Sequence, residues 1–443
     1  MRPTAPGLPR TAAEVDHQAK VNLTFIWFGV FVGLLGANFV FPFVPFYVQE
    51  LGVKEKSEIA LWTSLSGSAT GVSLFLTAPL WGAMADRFGR KPMFVRALIG
   101  AGIAILSMGL VTQAWQFVGL RLVMGAFAGT MGAAAALVAA TTPRERVGQA
   151  LGTLQTAQFS ANMLGPFIGG EVAQTVGLRE SFYVCASLYL LAGILVYVFV
   201  KERVIEGYAE QEVSNAAAAR PSLADNLRVV LGQRQILVML ALLFGLWLST
   251  TLVRPLMPIS IDDFSIQDSM GTHVDLHLGF ATYAIGEKRA SSYVFAAIGL
   301  TSTLAAFTVG RIAAKTGYRR SVAVASLATG VLFIPVALAP AYGPFLFFMA
   351  LTGLFQGAMV PGMNALLASS TPEGKQGSAF GLAASMQSLA LIIGPLLGGA
   401  IIAAVGIRWD YALVAGVLLL AGLATIAFVK EPGKPRSVES RDS

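Results

Sequence analysis

The chain has 443 residues, of which 55% are hydrophobic and only 12% carry a charge, against about 25% charged residues in a soluble domain. This composition excludes a water-soluble globule, so most of the chain is expected to face lipid or other helices. The formal net charge of +7 does not indicate nucleic acid as a partner, because membrane proteins retain basic residues in their cytoplasmic loops. The single cysteine, Cys185, excludes an intrachain disulfide and a multi-cysteine metal site.

Residues 1–20 are polar, and the apolar run that follows them is too long for a cleaved signal peptide. Eleven further apolar runs follow, each close to the roughly 20 residues that a membrane-spanning helix needs. A polar stretch at 201–234 divides the runs into six and six. We therefore predict an all-α membrane protein with twelve transmembrane helices in two pseudo-symmetric six-helix bundles. The predicted spans lie near residues 22–48, 58–80, 93–112, 115–140, 148–175, 181–200, 235–257, 291–309, 321–339, 344–369, 377–403 and 409–429.

The distribution of lysine and arginine predicts the orientation. These residues are concentrated in the loops at 81–96, 141–147 and 310–320, in the central stretch and in the tail, whereas the alternate loops are uncharged or acidic. Because basic loops remain on the cytoplasmic side, we predict that both termini and the central stretch are cytoplasmic, in a bacterial-type inner membrane. The predicted domains are a tail at 1–20, bundles at 21–200 and 235–430, a linker at 201–234 and a tail at 431–443.

The two halves are parallel repeats of one another. Gly165 recurs as Gly394, 229 positions later, whereas Pro45 recurs as Pro258 with an offset of only 213. The difference predicts an insertion after Pro258, in the external segment 259–289. Parallel halves of this kind occur in transporters whose repeats are related by an axis along the membrane normal.

The insertion carries His273 and His277, with Asp275 between them. Their i, i+4 spacing would suit two metal ligands on one face of a helix. Because no further ligand accompanies them, we predict an ordinary polar loop, with no metal and no cofactor.

A strongly charged turn is predicted between the second and third spans at residues 82–91, GAMADRFGRK. Its pattern resembles the signature loop of the major facilitator superfamily of secondary transporters, and residues 310–320, GRIAAKTGYRR, repeat it weakly. Two more features are similar to the twelve-span drug:proton antiporters of that superfamily. They are Arg121 in LRLVMGAFAG of span 4, and LGPFIGG at 164–170 of span 5, which is echoed by IGPLLGG at 393–399. The resemblance implies a conformational latch and coupling element made of Gly82, Asp86, Arg87, Gly89, Arg90 and Arg121.

The antiporter-type motif of span 5 contains Gly165, Pro166, Gly169 and Gly170. Proline removes a helix hydrogen bond and bends the helix, while the glycines allow a neighbouring helix to approach closely. Two interpretations are open, a well-packed kinked helix and a specific role in gating.

Asp86 could pair with Arg90, accept hydrogen bonds at the N-terminus of another helix, or be a solvated charge in a turn. Arg121 lies about 9 Å along its helix from Trp115, at a depth where a cation needs a carboxylate, water or carbonyl groups. One interpretation pairs Arg121 with Glu171 or Asp86, and the other lets its side chain snorkel to the outer interface.

Polar, mostly uncharged residues recur in the spans that are expected to line a central cavity. With plentiful Phe and Met, such a set suits flat, amphiphilic and weakly specific substrates, although some members are expected only to bond across helices. Arg254 lies nearer the outer end, where snorkelling is an alternative. Span 1 offers Asn38 where many proton-coupled members of the family have a carboxylate, and the acids near the membrane, Asp86, Glu171 and Asp410, do not identify a proton carrier. The predicted cavity residues are Asn38, Gln155, Gln158, Asn162, Trp247, Arg254, Gln356, Asn364 and Gln387.

We predict a secondary exporter of small amphiphilic compounds or drugs, driven by protons. It is expected to work as a monomer in the lipid bilayer, by alternating access around a midplane cavity. The alternatives are transport of one specific metabolite, in either direction, and a non-transporting membrane sensor of the same fold. The sequence contains no nucleophile–base set and no GxxxxGK[ST] phosphate loop, so neither an enzyme nor direct coupling to ATP is predicted.

Overall fold

The computed structural model describes residues 12–142, 144–202, 232–268, 271–277, 282–372 and 375–431. The described part of the first half contains α1 (Ala12–Val40), a short 3₁₀ helix (Phe41–Phe43), α2 (Val44–Glu50), α3 (Lys56–Phe88), α4 (Arg90–Met108), α5 (Ala114–Phe127), α6 (Thr130–Thr141), α7 (Arg144–Thr175) and α8 (Leu178–Phe199). The second half contains α9 (Arg234–Val253), α10 (Pro258–Asp262), α11 (Glu287–Thr316), α12 (Tyr318–Ala337), α13 (Tyr342–Ser370), α14 (Gln376–Val405) and α15 (Ile407–Phe428).

Ten described helical segments are long and apolar enough to cross a membrane. Two long helices outside that set, α7 and α11, are more polar: α7 carries several amide side chains, and α11 begins with the charged residues Glu287, Lys288 and Arg289. Each lies at the place in the chain where the sequence predicts a span. The repeated long helices confirm the predicted fold class and are consistent with twelve spans.

Three of the predicted spans consist of two helices each. The first bends at Phe41–Phe43, where Pro42 and Pro45 cannot donate backbone hydrogen bonds. The fourth is broken between α5 and α6 at Gly129, which has a φ of +102° that a side chain would oppose. The seventh continues from α9 into α10, so the apolar helical segment extends from Arg234 to Asp262.

The predicted ten-residue charged turn is much shorter in the structure. The helix α3 continues to Phe88, and α4 begins at Arg90, so the turn consists of Gly89 with a φ of +99°. The second half repeats this geometry, with Gly317 at a φ of +89° between α11 and α12. The charged residues before the glycine therefore form the last turns of a helix, because arginine and aspartate are compatible with helical backbone when water solvates the helix end.

The helices define two ends of the molecule. Near one end, the Asn22 side chain donates to the Lys201 carbonyl at 2.9 Å, and the Gln235 side chain donates to the Lys430 carbonyl at 2.8 Å. We call it the terminal end, because the described chain begins and finishes there. The opposite end carries residues 259–286 and is called the insertion end.

The insertion is a three-stranded antiparallel sheet, with β1 (Ser265–Asp268), β2 (Gly271–His277) and β3 (Thr282–Gly286) in that order. The predicted polar loop is therefore wrong for these residues. Val274 is buried, and the strands satisfy one another's backbone groups. In a strand, residues four apart are about 13 Å apart, so His273 and His277 do not form the pair of ligands that a helix would create.

Candidate functional site

Two helix pairs join the halves, α3 with α14 and α7 with α11. At the insertion end of the second pair, Glu171 accepts hydrogen bonds from Nε of Arg289 at 2.9 Å and from the hydroxyl of Tyr293 at 3.1 Å. The Tyr293 ring stacks on Phe167, with 6.0 Å between ring centroids. Glu171 is thus engaged with the second half, and is not the partner that the sequence suggested for Arg121.

Further contacts close the same end. Nζ of Lys56 lies 2.9 Å from Oδ1 of Asp263 and 3.5 Å from Oδ2 of Asp262. The buried hydroxyl of Ser291 donates to the carbonyl of Pro42 at 2.9 Å. Exposed ion pairs contribute only about 0–1 kcal/mol each, so these contacts hold the insertion end closed as a set.

A polar triad joins the halves deeper inside the protein. The guanidinium of Arg254 donates to Oδ1 of Asn38, and Nδ2 of Asn38 donates to Oδ1 of Asn162 at 3.0 Å. Asn38 is 5% exposed, and the Arg254 guanidinium also lies over the ring of Phe41, 5.2 Å from its centroid. Arg254 therefore does not snorkel to the interface. These three predicted cavity residues come together as the inner wall of the closed end.

The span 5 motif places backbone against backbone. A Cβ added to Gly169 would lie 2.3 Å from the carbonyl oxygen of Phe39, and one added to Gly165 would lie 2.9 Å from that of Leu35. A Cβ at Gly170 would instead clash with Ser292 in α11 of the other half. Pro166 lies inside the continuous helix α7. The motif thus packs α7 on α1 within its half and on α11 across the interface.

The α3–α14 pair also brings the halves into close contact. The Ser68 hydroxyl donates to the Ile392 carbonyl at 2.7 Å, and a Cβ at Gly71 would lie 3.1 Å from the backbone of Leu391. Both contacts lie near the middle of α3. Nearer the insertion end, Gly399 of the echoed motif packs against Ser64, as Gly170 packs against Ser292 in the first motif.

Toward the terminal end, the hydrogen bonds described for the side chains of α3 stay within the first half. Farther along α3, Thr77 and Trp81 donate to the carbonyl of Ala126, which belongs to the same half. A Cβ added to Gly152 of α7 or to Gly381 of α14 would meet nothing within 4 Å. Among the described residues, the contacts that join the halves therefore lie at the insertion end and in the middle of the helices.

Most of the other predicted cavity residues are accessible. Gln155 and Gln387 are exposed, and the remaining four are half-buried. Their side chains make no hydrogen bond to any part of the chain that the structure describes, so their polar groups are available to a ligand. The six residues are Gln155, Gln158, Trp247, Gln356, Asn364 and Gln387.

An aromatic pair of α1 was not predicted as part of this surface. The rings of Trp27 and Phe31 stack with their centroids 5.3 Å apart, and Nε1 of Trp27 donates to the exposed hydroxyl of Thr156 at 2.9 Å. The i, i+4 spacing of two aromatic residues in span 1, on the helix that also carries Asn38, is the sequence signal that could have identified it.

Arg121 is buried inside the first half. It is 4% exposed, its guanidinium lies 5.2 Å from the ring centroid of Phe117, and its Nε has no hydrogen-bond partner among the described residues. The interpretation that Arg121 snorkels to the interface is therefore wrong. Pairing with Asp86 stays a prediction, because the Asp86 side chain lies outside the described residues.

The other latch residues lie around the Gly89 turn. Gly82 and Asp86 are in α3, in a stretch where the structure leaves their side chains undescribed. Arg87 is exposed, and its guanidinium lies over the ring of the neighbouring Phe88 at 5.3 Å. The role of all these residues as a latch stays a prediction.

A carboxylate not predicted from the sequence closes this turn. Glu202, at the start of the predicted linker, accepts hydrogen bonds from the backbone N–H groups of Arg90 at 2.6 Å and Lys91 at 2.9 Å. A carboxylate at a helix N-terminus is favoured by the free N–H groups and by the helix dipole. Glu431 does the same in the second half, accepting from the Tyr318 N–H at 2.7 Å. The sequence contains a signal for this pair of glutamates, because Val-Lys-Glu occurs after the last span of each half, at 200–202 and 429–431.

Arg254→Ala is expected to loosen the closed end. Losing this donor leaves the buried Asn38 oxygen unsatisfied, which costs about 1–3 kcal/mol and corresponds to a roughly tenfold to hundredfold shift in the closed–open equilibrium. The measurement is the rate at which a thiol reagent modifies Ser291→Cys in purified protein that lacks Cys185. Arg179→Ala is the control, because Arg179 pairs with Glu50 inside one half at 3.1 Å. Equal rates in both variants would show that the triad does not hold the halves together.

Comparisons with known proteins agree over nearly the whole chain. The family model of the Major Facilitator Superfamily matches residues 26–287 and 274–443 of this chain. Multidrug resistance protein MdtG of Salmonella schwarzengrund (strain CVM19633) is 30% identical over 407 residues, which are 92% of this chain and 95% of that protein. The same values hold for multidrug resistance protein MdtG of Salmonella arizonae.

Solved structures share the fold at low sequence identity. A bacterial homolog to the human lysosomal transporter Spinster, in an inward-facing and unoccupied conformation, has a TM-score of 0.74 and 12% identity over 94% of this chain and 99% of that one. The nucleoside transporter NupG has a TM-score of 0.70 and 14% identity over 92% and 98% of the two chains. At this identity the likeness shows the shared fold alone.

Proposed function

The chain belongs to the major facilitator superfamily, and we propose that it exports small amphiphilic compounds or drugs by proton antiport. The observation that carries this proposal is the set of contacts that joins the halves at the insertion end. From it we infer a cavity between the halves that is closed at this end and open at the terminal end. The name of the Salmonella relatives, multidrug resistance protein, supports efflux as the direction and drugs as the cargo.

The distribution of charge supports an orientation for this cavity. Basic residues favour the cytoplasmic side, and the Gly89 and Gly317 turns, with Arg87, Arg90, Arg319 and their neighbours, all lie at the terminal end. The terminal end is then cytoplasmic, and the cavity opens toward the cytoplasm. This is the conformation in which an exporter loads its cargo, and the Spinster homolog was solved in an inward-facing state of the same kind.

The chemistry of the cavity supports an amphiphilic cargo. Amide groups that have no partner among the described residues offer hydrogen bonds in both directions but no fixed charge, while Trp27, Phe31 and Trp247 offer flat apolar surface. Aromatic faces bind flat rings and attract cations. A site made of such groups discriminates weakly among cargoes, because it contains few charged side chains that would reject a mismatched one.

Export then requires the insertion end to open and the terminal end to close. The contacts of Lys56, Glu171 and Arg254 with the other half break, the insertion end opens, and the terminal end closes around the α3–α4 turn. Asp86 and its neighbours would hold that second conformation, as the resemblance implies. Such rocking of one bundle against the other is how parallel-repeat transporters alternate access.

Everted membrane vesicles from an efflux-deficient host test the proposal. With an acidic interior, vesicles that contain the chain are expected to accumulate ethidium, a flat amphiphilic cation, and a protonophore is expected to abolish the accumulation. Vesicles without the chain are the control. Accumulation that ignores both the pH gradient and the protonophore would rule out proton antiport. A chain that binds ethidium without moving it would favour the sensor alternative.

A further inference from the structure

Asp410 is a buried carboxyl group that the proposed transport site does not use. It lies in the first turn of α15, is 0% exposed, and neither of its carboxyl oxygens has a hydrogen-bond partner in the described part of the chain. Leaving an unpaired carboxylate buried costs several kcal/mol. A neutral carboxylic acid avoids most of this cost, although it too is left without a partner.

Among the residues that the structure describes, the side chains around Asp410 do not offer a compensating charge. The neighbouring α14 places Gly398 against it, since a Cβ at Gly398 would lie 3.3 Å from Oδ1 of Asp410 and 2.9 Å from the carbonyl oxygen of Leu252 in α9. Leu256, in the turn between α9 and α10, also lies against Gly398 and is apolar. The side chain therefore lies at a junction of α9, α14 and α15 that is lined by backbone and apolar groups.

The titratable groups nearest this junction are engaged elsewhere. The adjacent Tyr411 shares a hydrogen bond with Ser260 of α10 at 2.5 Å and packs against the rings of Phe333 in α12 and Phe345 in α13. Beyond Tyr411, Asp262 and Asp263 pair with Lys56. Arg408 precedes Asp410 on α15 but is exposed.

The repeat supplies an internal comparison. Gly177, Leu178 and Arg179 at the start of α8 recur as Gly406, Ile407 and Arg408 at the start of α15, and Ser181 occupies the position of Asp410. Ser181 is also 0% exposed, but its hydroxyl donates to the Gly177 carbonyl at 2.6 Å. The fold therefore accommodates at this position a small polar residue that forms a hydrogen bond within its own helix turn. A carboxyl group is not required for packing.

We propose that Asp410 is a proton-binding site of the transport cycle. It holds a proton in the conformation described here, and this inference rests on the proposed proton antiport. When the α9–α14–α15 junction admits water, the carboxyl O–H bond breaks, the proton passes to water, and a carboxylate remains. When the junction closes, the carboxylate takes a proton back from water and becomes neutral again.

The helices that form the junction also contact the other half, so protonation of Asp410 can affect the contact between the halves. The helix α9 leads directly to Arg254 of the polar triad, and α14 presents Gly399, next to Gly398, to Ser64 of the other half. A charge on Asp410 opposes the close approach of α9 and α14, because the carboxylate must be hydrated. Protonation thus favours the closed insertion end, and deprotonation favours its rearrangement.

Infrared spectroscopy of purified protein tests the protonation without any cargo. The wild type is expected to show the C=O stretch of a protonated, buried carboxyl group at neutral pH, and Asp410→Asn and Asp410→Ser are expected to lose it. Asp410→Ser introduces the residue that the first half accommodates, so folded protein is expected. Glu180→Gln, which removes an exposed carboxylate at the corresponding helix of the first half, is the control and should keep the band. A band absent from the wild type, or kept by both Asp410 variants, overturns the inference.

Flux measurements then test its role in the cycle. In proteoliposomes, Asp410→Asn is expected to lose at least tenfold in ethidium transport driven by a pH gradient, while ethidium binding stays within about twofold of the wild type. Wild-type protein without pH-driven flux would refute the proposed antiport, and the infrared band would still decide whether Asp410 is protonated. A wild type with pH-driven flux that Asp410→Asn and Asp410→Ser retain in full would refute the role of Asp410 alone.

Discussion

Oxidation is expected to stop transport completely in a Gly67→Cys, Pro395→Cys double variant in which Cys185 is replaced by serine. A Cβ at Gly67 of α3 would lie 3.4 Å from Cβ of Pro395 in α14, close to the separation of about 3.5–4.5 Å between Cβ atoms in a disulfide. The bond would join the two halves where they must separate, so it would hold the insertion end closed. The measurement is ethidium transport before oxidation, after it, and after reduction.

The matched control is a cross-link inside one half. A Cβ at Gly193 of α8 would lie 3.4 Å from Cβ of Leu98 in α4, so Leu98→Cys, Gly193→Cys places two thiols at the same Cβ–Cβ distance within the first bundle, once the Ile99 side chain has moved aside. Oxidation of this pair is expected to leave transport near the reduced level, because the bundle moves as a unit. Loss of transport in both pairs, or in neither, would contradict rigid-body rocking of the halves.

Gly169→Ala is expected to destabilise the protein and to abolish most of its transport. The added methyl group would lie 2.3 Å from the carbonyl oxygen of Phe39 and 2.9 Å from its carbonyl carbon. Both are backbone atoms that cannot rotate away, so α1 and α7 must move apart. Overpacking of this kind costs about 1–3 kcal/mol. The measurements are the thermal unfolding temperature in detergent and the ethidium flux per folded molecule.

Gly152→Ala on the same helix is the control for that experiment. Its Cβ would meet nothing within 4 Å, and replacing a helical glycine by alanine is favourable by about 0.5–1 kcal/mol. We expect an unfolding temperature at or slightly above that of the wild type and unchanged flux. If both alanine variants behave alike, the close approach at Gly169 does not matter for the fold.

Much of the fold could be predicted because its signals are local. The twelve apolar runs and the positions of the turn glycines are each read from a short stretch of sequence, and the repeat is found by comparing such stretches between the halves. The extension of α3 through Phe88 was missed because a charged stretch between two apolar runs has the composition of a loop. Hydropathy indicates where a helix leaves the membrane, but a helix can continue beyond that point. The helix α3 ends only at Gly89, whose backbone has a positive φ.

The sequence predicted which residues belong to the candidate site but not which of their side chains contact one another. The sequence supplied Asn38, Asn162 and Arg254 as separate polar residues of different spans, yet Arg254 and Asn38 are 216 positions apart. Which side chains meet depends on how far each helix is rotated and shifted against its neighbours, and no local pattern contains that information. Glu171 shows the same limit, since its partner Arg289 follows the insertion and lies on the other half.

Glu202 and Glu431 each join the end of a bundle to a helix N-terminus within the same bundle. In both halves the carboxylate that follows the last helix contacts the start of the third span of that same half, α4 or α12, so this contact is made within each bundle. A single ancestral bundle that was copied in tandem would have needed to carry this residue within the copied segment. The copied segment then ends at the glutamate, two residues beyond the buried valine, and the chain between the copies was free to diverge in length and composition.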